Sequence, residues 1–199
     1  MKTSDPTRTC IRQHLRLARS ESQKQSGFIS VELGLALLVV AVLSVAAVTM
    51  YSNNLRQTSI TQNITEIQNI ASSAKAAYGL SNQYGSVTTA VAVRSHIIPA
   101  HLRDGTAATA TNSFGSALTV VPANGTGTND LLTLTWGNVP ANQCTEIVSG
   151  VSPSMRRITV ASTVVKVLDS ALNIATSTSA CETNTSDGVV SIAFDIGRS

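Results

Sequence analysis

The chain has 199 residues, 43% of them hydrophobic and only 13% charged, enough for one modest core and too little charge for a nucleic-acid-binding surface. Its net charge of +3 is local, because Lys2, Arg8, Arg12, Arg16, Arg19 and Lys24 face only Asp5 and Glu21 in the first 27 residues, giving that segment +4 and leaving −1 for the rest. That basic run is a targeting feature, and beyond it no Lys/Arg cluster with interleaved aromatics occurs, which excludes a DNA or RNA footprint.

From Phe28 to Met50 the sequence reads FISVELGLALLVVAVLSVAAVTM, without proline and with one charge, Glu32. At ~1.5 Å per residue, about 20 apolar residues cross a ~30 Å hydrocarbon core, so this stretch is long enough to span a bilayer. Cations before it and almost none after it place the N-terminus in the cytoplasm and everything past about residue 51 outside. A secretory signal cleaved near Val45-Ala46-Ala47 is the rival reading. Against it, the apolar stretch exceeds the usual 7–15 residues of such signals. It also carries a carboxylate, which costs on the order of 2.5–3.5 kcal/mol at a membrane centre. Glu32 is either an acid with a role or one that snorkels to the interface.

Beyond Met50, Ile60, Ile64, Ile67, Ala71, Ala74 and Tyr78 recur at spacings of three and four, an amphipathic continuation of the same helix. Gly79 is the expected stop, and a helix from Phe28 to Tyr78 would be roughly 75 Å long. With only about three heptads, the stripe predicts packing on the C-terminal region over a coiled coil. A second helix is expected over Val87–Arg94, with Pro99 as the terminator. His96 and His101 lack a Cys, Asp or Glu set at ligand spacing, so they read as ordinary loop histidines and no metal site is expected.

From Asn112 onward, short strands broken by Gly, Pro and Asn are expected at Leu118–Val121, Leu131–Trp136, Arg157–Ala161, Val164–Leu168 and Val189–Ile196. Short connections predict antiparallel pairing. In the last strand Val190, Ile192, Phe194 and Ile196 alternate with Ser191, Ala193 and Asp195, as a half-buried strand requires. Pro140–Val148 reads as a short helix with proline in its first turn. Cys10 lies in the basic leader, which leaves Cys144 and Cys181 as one pair. If that region is exported to an oxidising compartment, a Cys144–Cys181 disulfide is the simplest outcome, worth roughly 3–4 kcal/mol; two buried thiols are the alternative. No P-loop, HExxH, CxxC or GxSxG pattern occurs, so no catalytic residue, cofactor or small-molecule substrate is expected.

Gly27-Phe28-Ile29-Ser30-Val31-Glu32, running straight into Leu33-Gly34-Leu35-Ala36-Leu37-Leu38, resembles the processing site of type IV prepilins. The resemblance implies cleavage after Gly27 by a prepilin peptidase and N-methylation of Phe28. Glu32 then falls at the fifth mature position, four residues from the new terminus and on its helix face. The family role of that glutamate is to pair with the N-terminal amine of a neighbouring subunit during assembly. The implied fold is α+β: a long N-terminal helix, half transmembrane and half amphipathic, packed on a C-terminal antiparallel sheet with a disulfide-closed region. The implied divisions are a leader at 1–27, a transmembrane and filament-core helix at 28–51, its amphipathic half at 52–79 and an extracytoplasmic domain at 80–199.

The implied function is that of a non-enzymatic pilus subunit serving cell–cell adhesion, mating-pair contact or host attachment. It would sit in the bacterial inner membrane before assembly and on the cell surface after it. Its partners would be copies of itself, the peptidase, an inner-membrane platform with its ATPase, and an outer-membrane secretin. The leader length is similar to that of type IVb pilins, including conjugative thin pili and bundle-forming pilins. Asn112-Ser113-Phe114-Gly115 and Val139-Pro140 before Cys144 also look like that thin-pilus group, whereas Phe28 is the residue more typical of type IVa. A type II secretion pseudopilin, or an extracytoplasmic enzyme or binding protein on an uncleaved signal anchor, are the competing assignments.

Overall fold

The structure, a computed structural model, describes residues 26–79, 84–105, 108–183 and 187–197, with side chains from residue 31 onward. The chain divides into two units, residues 1–54 and 55–199, and helix α1 (Ser26–Tyr78) contributes to both.

In the first unit, every described residue from 31 to 54 is exposed. Leu33, Leu38 and Leu43 are each more than 60% accessible. Ser44, Thr49 and Ser52 turn their hydroxyls back onto the carbonyls of Val40, Ala46 and Thr49, so these polar groups need no water. The described part of the helix from Val31 contains an 18-residue window of mean hydropathy 2.6, long and apolar enough to cross a membrane.

The second unit is a five-stranded antiparallel sheet with the 55–78 half of α1 contributing one face of its core. The strands are β1 (Thr119–Ala123), β2 (Leu131–Pro140), β3 (Arg157–Val160), β4 (Thr163–Lys166) and β5 (Val189–Gly197), in the spatial order β1-β2-β5-β3-β4. The expected stripe on α1 is the buried one. Ile60, Ile67, Ala71 and Ala74 are fully buried, joined by Ile70, while Ile64 and Tyr78 pack at the margin. Facing them are Leu132, Leu134, Trp136, Ile158, Val160, Ile192, Phe194 and Ile196. Their alternation along each strand puts one face inward. Helix α1 ends before Gly79, whose N–H still donates to the Lys75 carbonyl and where a Cβ would lie 2.4 Å from that oxygen.

Three expected boundaries shift for identifiable reasons. Helix α2 spans only Thr89–Arg94, with the Thr88 hydroxyl accepting the Val91 N–H at its start. It stops five residues before Pro99. His96 adopts φ 62°, and the His96 and Ile97 N–H groups reach back to Val93 and Ala92, which is a Schellman cap. Strand β2 runs four residues past Trp136, because Gly137 and Asn138 together oppose Ser191 as a bulge, Asn138 at φ 56°. Helix α3 (Ala141–Val151) begins after Pro140, which holds the N-cap position without a side-chain hydrogen bond.

Helix α4 (Ile174–Thr183) was not expected from the sequence. Its Ser/Thr-rich composition hides a real start signal, the Asn173 side chain accepting the Thr176 N–H. Asp195 of β5, expected on the solvent side, is buried there by its cross-strand neighbours. Thr133 and Arg157 lie opposite it on β2 and β3 and both donate to its carboxylate.

Candidate assembly surfaces

The expected assembly residues fall on α1. Gly27 and Phe28 lie within the bounds of that helix, but their side chains are outside the described residues, and residues 1–25 of the expected leader 1–27 are likewise outside them. Glu32 is described and exposed, in an otherwise apolar stretch. Such a surface is not stable against water. Each fully buried Leu or Val is worth about 1.5–3 kcal/mol, and here that gain is left for an outside partner to collect.

The globular unit is tied to its half of the helix by polar groups as well as by the core. Glu66 is the hub and is 4% exposed. Gln62 Nε2 donates to its Oε1 at 2.8 Å, His101 Nε2 lies 3.0 Å from the same oxygen, and Ser113 Oγ donates to Oε2 at 2.6 Å. Gln62 and Glu66 share a helix face, while His101 and Ser113 come from the loop between α2 and β1. One carboxylate thus fixes that loop to the helix.

His101, read from the sequence as an ordinary loop histidine, is a structural partner of this carboxylate. The signal that could have located the hub is an acid at position 66, inside the apolar stripe. A cavity of about 630 Å³ lies alongside, lined by Gln57, Thr61, Gln62, Thr65, Glu66 and His101 among others. No group of three or more metal-ligating side chains occurs among the described residues.

Asn112-Ser113-Phe114-Gly115 acquires a physical meaning next to this hub. Buried Asn112 accepts the Phe114 and Ser116 N–H groups at 3.0 and 2.8 Å and donates to the Gly137 carbonyl at 2.7 Å. Gly115 completes the turn at φ 75°, a conformation that favours glycine. The motif therefore presents Ser113 to Glu66 on one side and holds the β2 bulge on the other. Trp136 on the same strand donates its indole N–H to Asn63 on α1 at 3.0 Å, satisfying two buried polar groups together.

The C-terminal region is closed by a Cys144–Cys181 disulfide linking α3 to α4, both cysteines fully buried. Arg56 on the helix donates to the Glu146 carboxylate and the Asn142 carbonyl of α3, and Gln68 donates to the Gly150 carbonyl at 3.1 Å. The approach is close at Gly150, where a Cβ would meet Ile64 Cδ1 at 2.4 Å and the Ile64 side chain would have to shift.

Asp130 closes the β1–β2 loop. It accepts the N–H groups of Gly125, Thr126 and Gly127 and the Thr126 hydroxyl. Burial by itself would raise its pKa, but the three backbone donors outweigh burial and hold the carboxyl at about 2.

A long, exposed apolar helix continuing into an antiparallel α+β unit with a C-terminal disulfide is the fold of a type IV pilin. The fold matches the crystal structure of a type IVb pilin from Salmonella typhi with a TM-score of 0.54 at 20% identity, covering 69% of this chain and 99% of that one. TcpA, a type IV pilin from Vibrio cholerae El Tor biotype, aligns at a TM-score of 0.48 and 18% identity over 69% of this chain and 98% of its own. No curated protein sequence matches. A family model described as PilS N terminal matches residues 56–194, and the chain belongs to that family of type IVb pilins, which are structural subunits.

Proposed function

We propose that this protein is the subunit of a type IV pilus, cut between Gly27 and Phe28, methylated at Phe28 and polymerised through α1. The observation that carries the reading is the fully exposed apolar segment from residue 31 to 54, in a chain whose globular unit has a complete core of its own. A surface of that kind requires a bilayer or other copies of the same helix around it. Before assembly it anchors the subunit in the inner membrane, N-terminus cytoplasmic and globular unit periplasmic. After assembly it forms the filament core on the cell surface. Residues 28–51 carry both duties, residues 52–79 are the amphipathic half of the helix, and residues 80–199 form the outer domain.

Cleavage creates an ammonium group four residues from Glu32. A carboxylate buried without a partner is strongly destabilising, so a subunit whose Glu32 meets a neighbour's terminal amine has one favoured axial register. Prepilin peptidase, an inner-membrane platform with its ATPase, and a secretin are the machinery this reading needs. Contact between cells, in mating or in attachment, is the role this reading assigns to the filament.

Intact-mass measurement of protein purified from cells tests the processing: the expected chain starts at methylated Phe28. A start near Val48, or a retained Met1, refutes it. Glu32→Ala tests the register, with normal cleavage and a large loss of filaments in electron micrographs as the expected result. Wild-type filament numbers from that variant would remove Glu32 from the assembly mechanism.

A further inference from the structure

At the C-terminal end of β5 a cleft of about 420 Å³ is lined by Lys75, Ser154, Arg156, Lys166, Asp169 and Gly197 among others. Its one lining carboxylate is already used, since Arg156 holds Asp169 through two hydrogen bonds. Asp130 stands 4.0 Å from the same guanidinium. The two lysines have only backbone carbonyls. Lys75 Nζ donates to Ser154 at 2.8 Å, and Lys166 Nζ donates to Ser152 and Met155 at 2.6 Å each.

Among the described residues, neither lysine has a carboxylate within ion-pair distance. Burial lowers the pKa of both, and Lys166 and Arg156 lower that of Lys75 further, while Asp169 partly offsets the effect on Lys166. The free subunit thus holds two ammonium groups at an electrostatic cost that an incoming anion would relieve.

The opposite end of β5 carries the complement. Of the eight Asp and Glu residues between 55 and 199, six are hydrogen-bonded or ion-paired: Glu66, Asp104, Asp130, Glu146, Asp169 and Asp195. The other two, Glu182 and Asp187, are exposed and have no partner among the described residues. Glu182 occupies the last turn of α4, where no basic residue accompanies it and the helix dipole disfavours a negative charge. Asp187 sits in the turn entering β5 at φ 55°. At ~3.3 Å per residue, this acidic end lies roughly 30 Å from Gly197 and the cationic cleft.

We propose that the Lys75/Lys166 cleft of one subunit receives the Glu182 and Asp187 carboxylates of a second copy of this chain. Donor and acceptor surfaces lie at opposite ends of one strand, so the contact is head-to-tail and does not close on itself. Repetition of such a contact builds an open filament. The proposal rests on the polymer-subunit reading and adds to it a specific pair of contact surfaces.

The test uses the full-length chain expressed with its assembly machinery, comparing wild type, Lys75→Glu, the pair Glu182→Lys with Asp187→Lys, and all three changes together. Sheared filaments are quantified, and subunit level and the Cys144–Cys181 bond in membranes report folding. Each reversal alone should cut filament yield by about tenfold or more, and the combination should restore it to within about threefold of wild type. A second readout covers the case in which Lys75→Glu fails to accumulate. Lys75→Cys with Asp187→Cys should give an oxidised multimer ladder that neither single variant gives. Wild-type yields from both reversals, failure of the combination to restore filaments in folded subunits, or absence of the ladder overturns the contact. Absence of filaments from wild type under the same conditions overturns the polymer reading itself.

Discussion

Breaking the Cys144–Cys181 bond is the sharpest test of how the globular unit holds together. The bond closes a loop with a sequence separation of 37 residues, both sulfurs fully buried between α3 and α4. Cross-linking a loop of that length removes enough conformational entropy from the unfolded chain to stabilise the fold by about 4 kcal/mol at 25 °C. For a unit of this size, a loss of ~4 kcal/mol lowers the midpoint of thermal unfolding by about 10–15 °C.

Two perturbations separate the cross-link from the packing. Reduced wild type keeps both sulfur atoms, whereas Cys144→Ala with Cys181→Ala removes them and adds a small cavity cost. Circular dichroism of the detergent-solubilised full chain, with and without reductant, should show reduced wild type well below oxidised wild type. The double variant should be slightly lower still and insensitive to reductant. A drop of less than about 3 °C on reduction would mean that the unfolded chain is already restrained over this stretch, and the entropic argument would fail.

Glu66→Ala strands three donors, Gln62, His101 and Ser113, and should cost about 1–3 kcal/mol in denaturant unfolding. It should also speed amide exchange selectively at Thr111–Ala117, the stretch the carboxylate anchors. Asp130→Asn tests the loop carboxylate, whose pKa is depressed in the fold to about 2 from an ordinary 3.8. Its stabilisation is complete above the unfolded value and is lost as the pH falls from about 4 to about 2. The variant should therefore be about 1–2 kcal/mol less stable than wild type at pH 7 and indistinguishable from it below about pH 2. Gly79→Ala places a Cβ on the Lys75 carbonyl and should lower stability by at least about 1 kcal/mol, whereas Gly34→Ala, in a helix interior with open space around it, should not lower stability.

The periodic elements were legible because burial writes itself into spacing. The Ile60, Ile67, Ala71, Ala74 stripe and the Val190, Ile192, Phe194, Ile196 alternation correspond to faces that lie in the core. The elements that escaped are those whose signal is carried by hydrogen bonds. Helix α4 is built from poor helix formers and depends on Asn173 and on the disulfide. The Schellman cap of α2 uses a histidine where glycine is usual, and the β2 bulge uses Gly137-Asn138, which on sequence alone reads as a strand end. The Glu66 hub was missed for the same reason. Its partners at positions 101 and 113 are distant in sequence, and only the fold of the α2–β1 loop brings them to the helix.

The exposed helix and the charged ends of β5 answer different parts of one physical problem. A subunit leaving a bilayer for a filament core gains little from apolar burial, because lipid tails are as apolar as Leu and Val side chains. Hydrophobicity therefore keeps the segment from 31 to 54 out of water without choosing among the many axial positions at which one apolar helix slides along another. The choice falls to groups that are costly when misplaced. Glu32 is the only charge in that segment, and the one carboxylate lining the cleft formed by Lys75 and Lys166, Asp169, is held by Arg156. In the proposed filament, one polar contact acts in the helical core and another at the outer domains. A register satisfying both is far rarer than a register satisfying either. Loss of one contact should cut filament yield and broaden the spacing of subunits in the fibres that remain, and loss of both should abolish ordered filaments even where subunits still enter the membrane and fold.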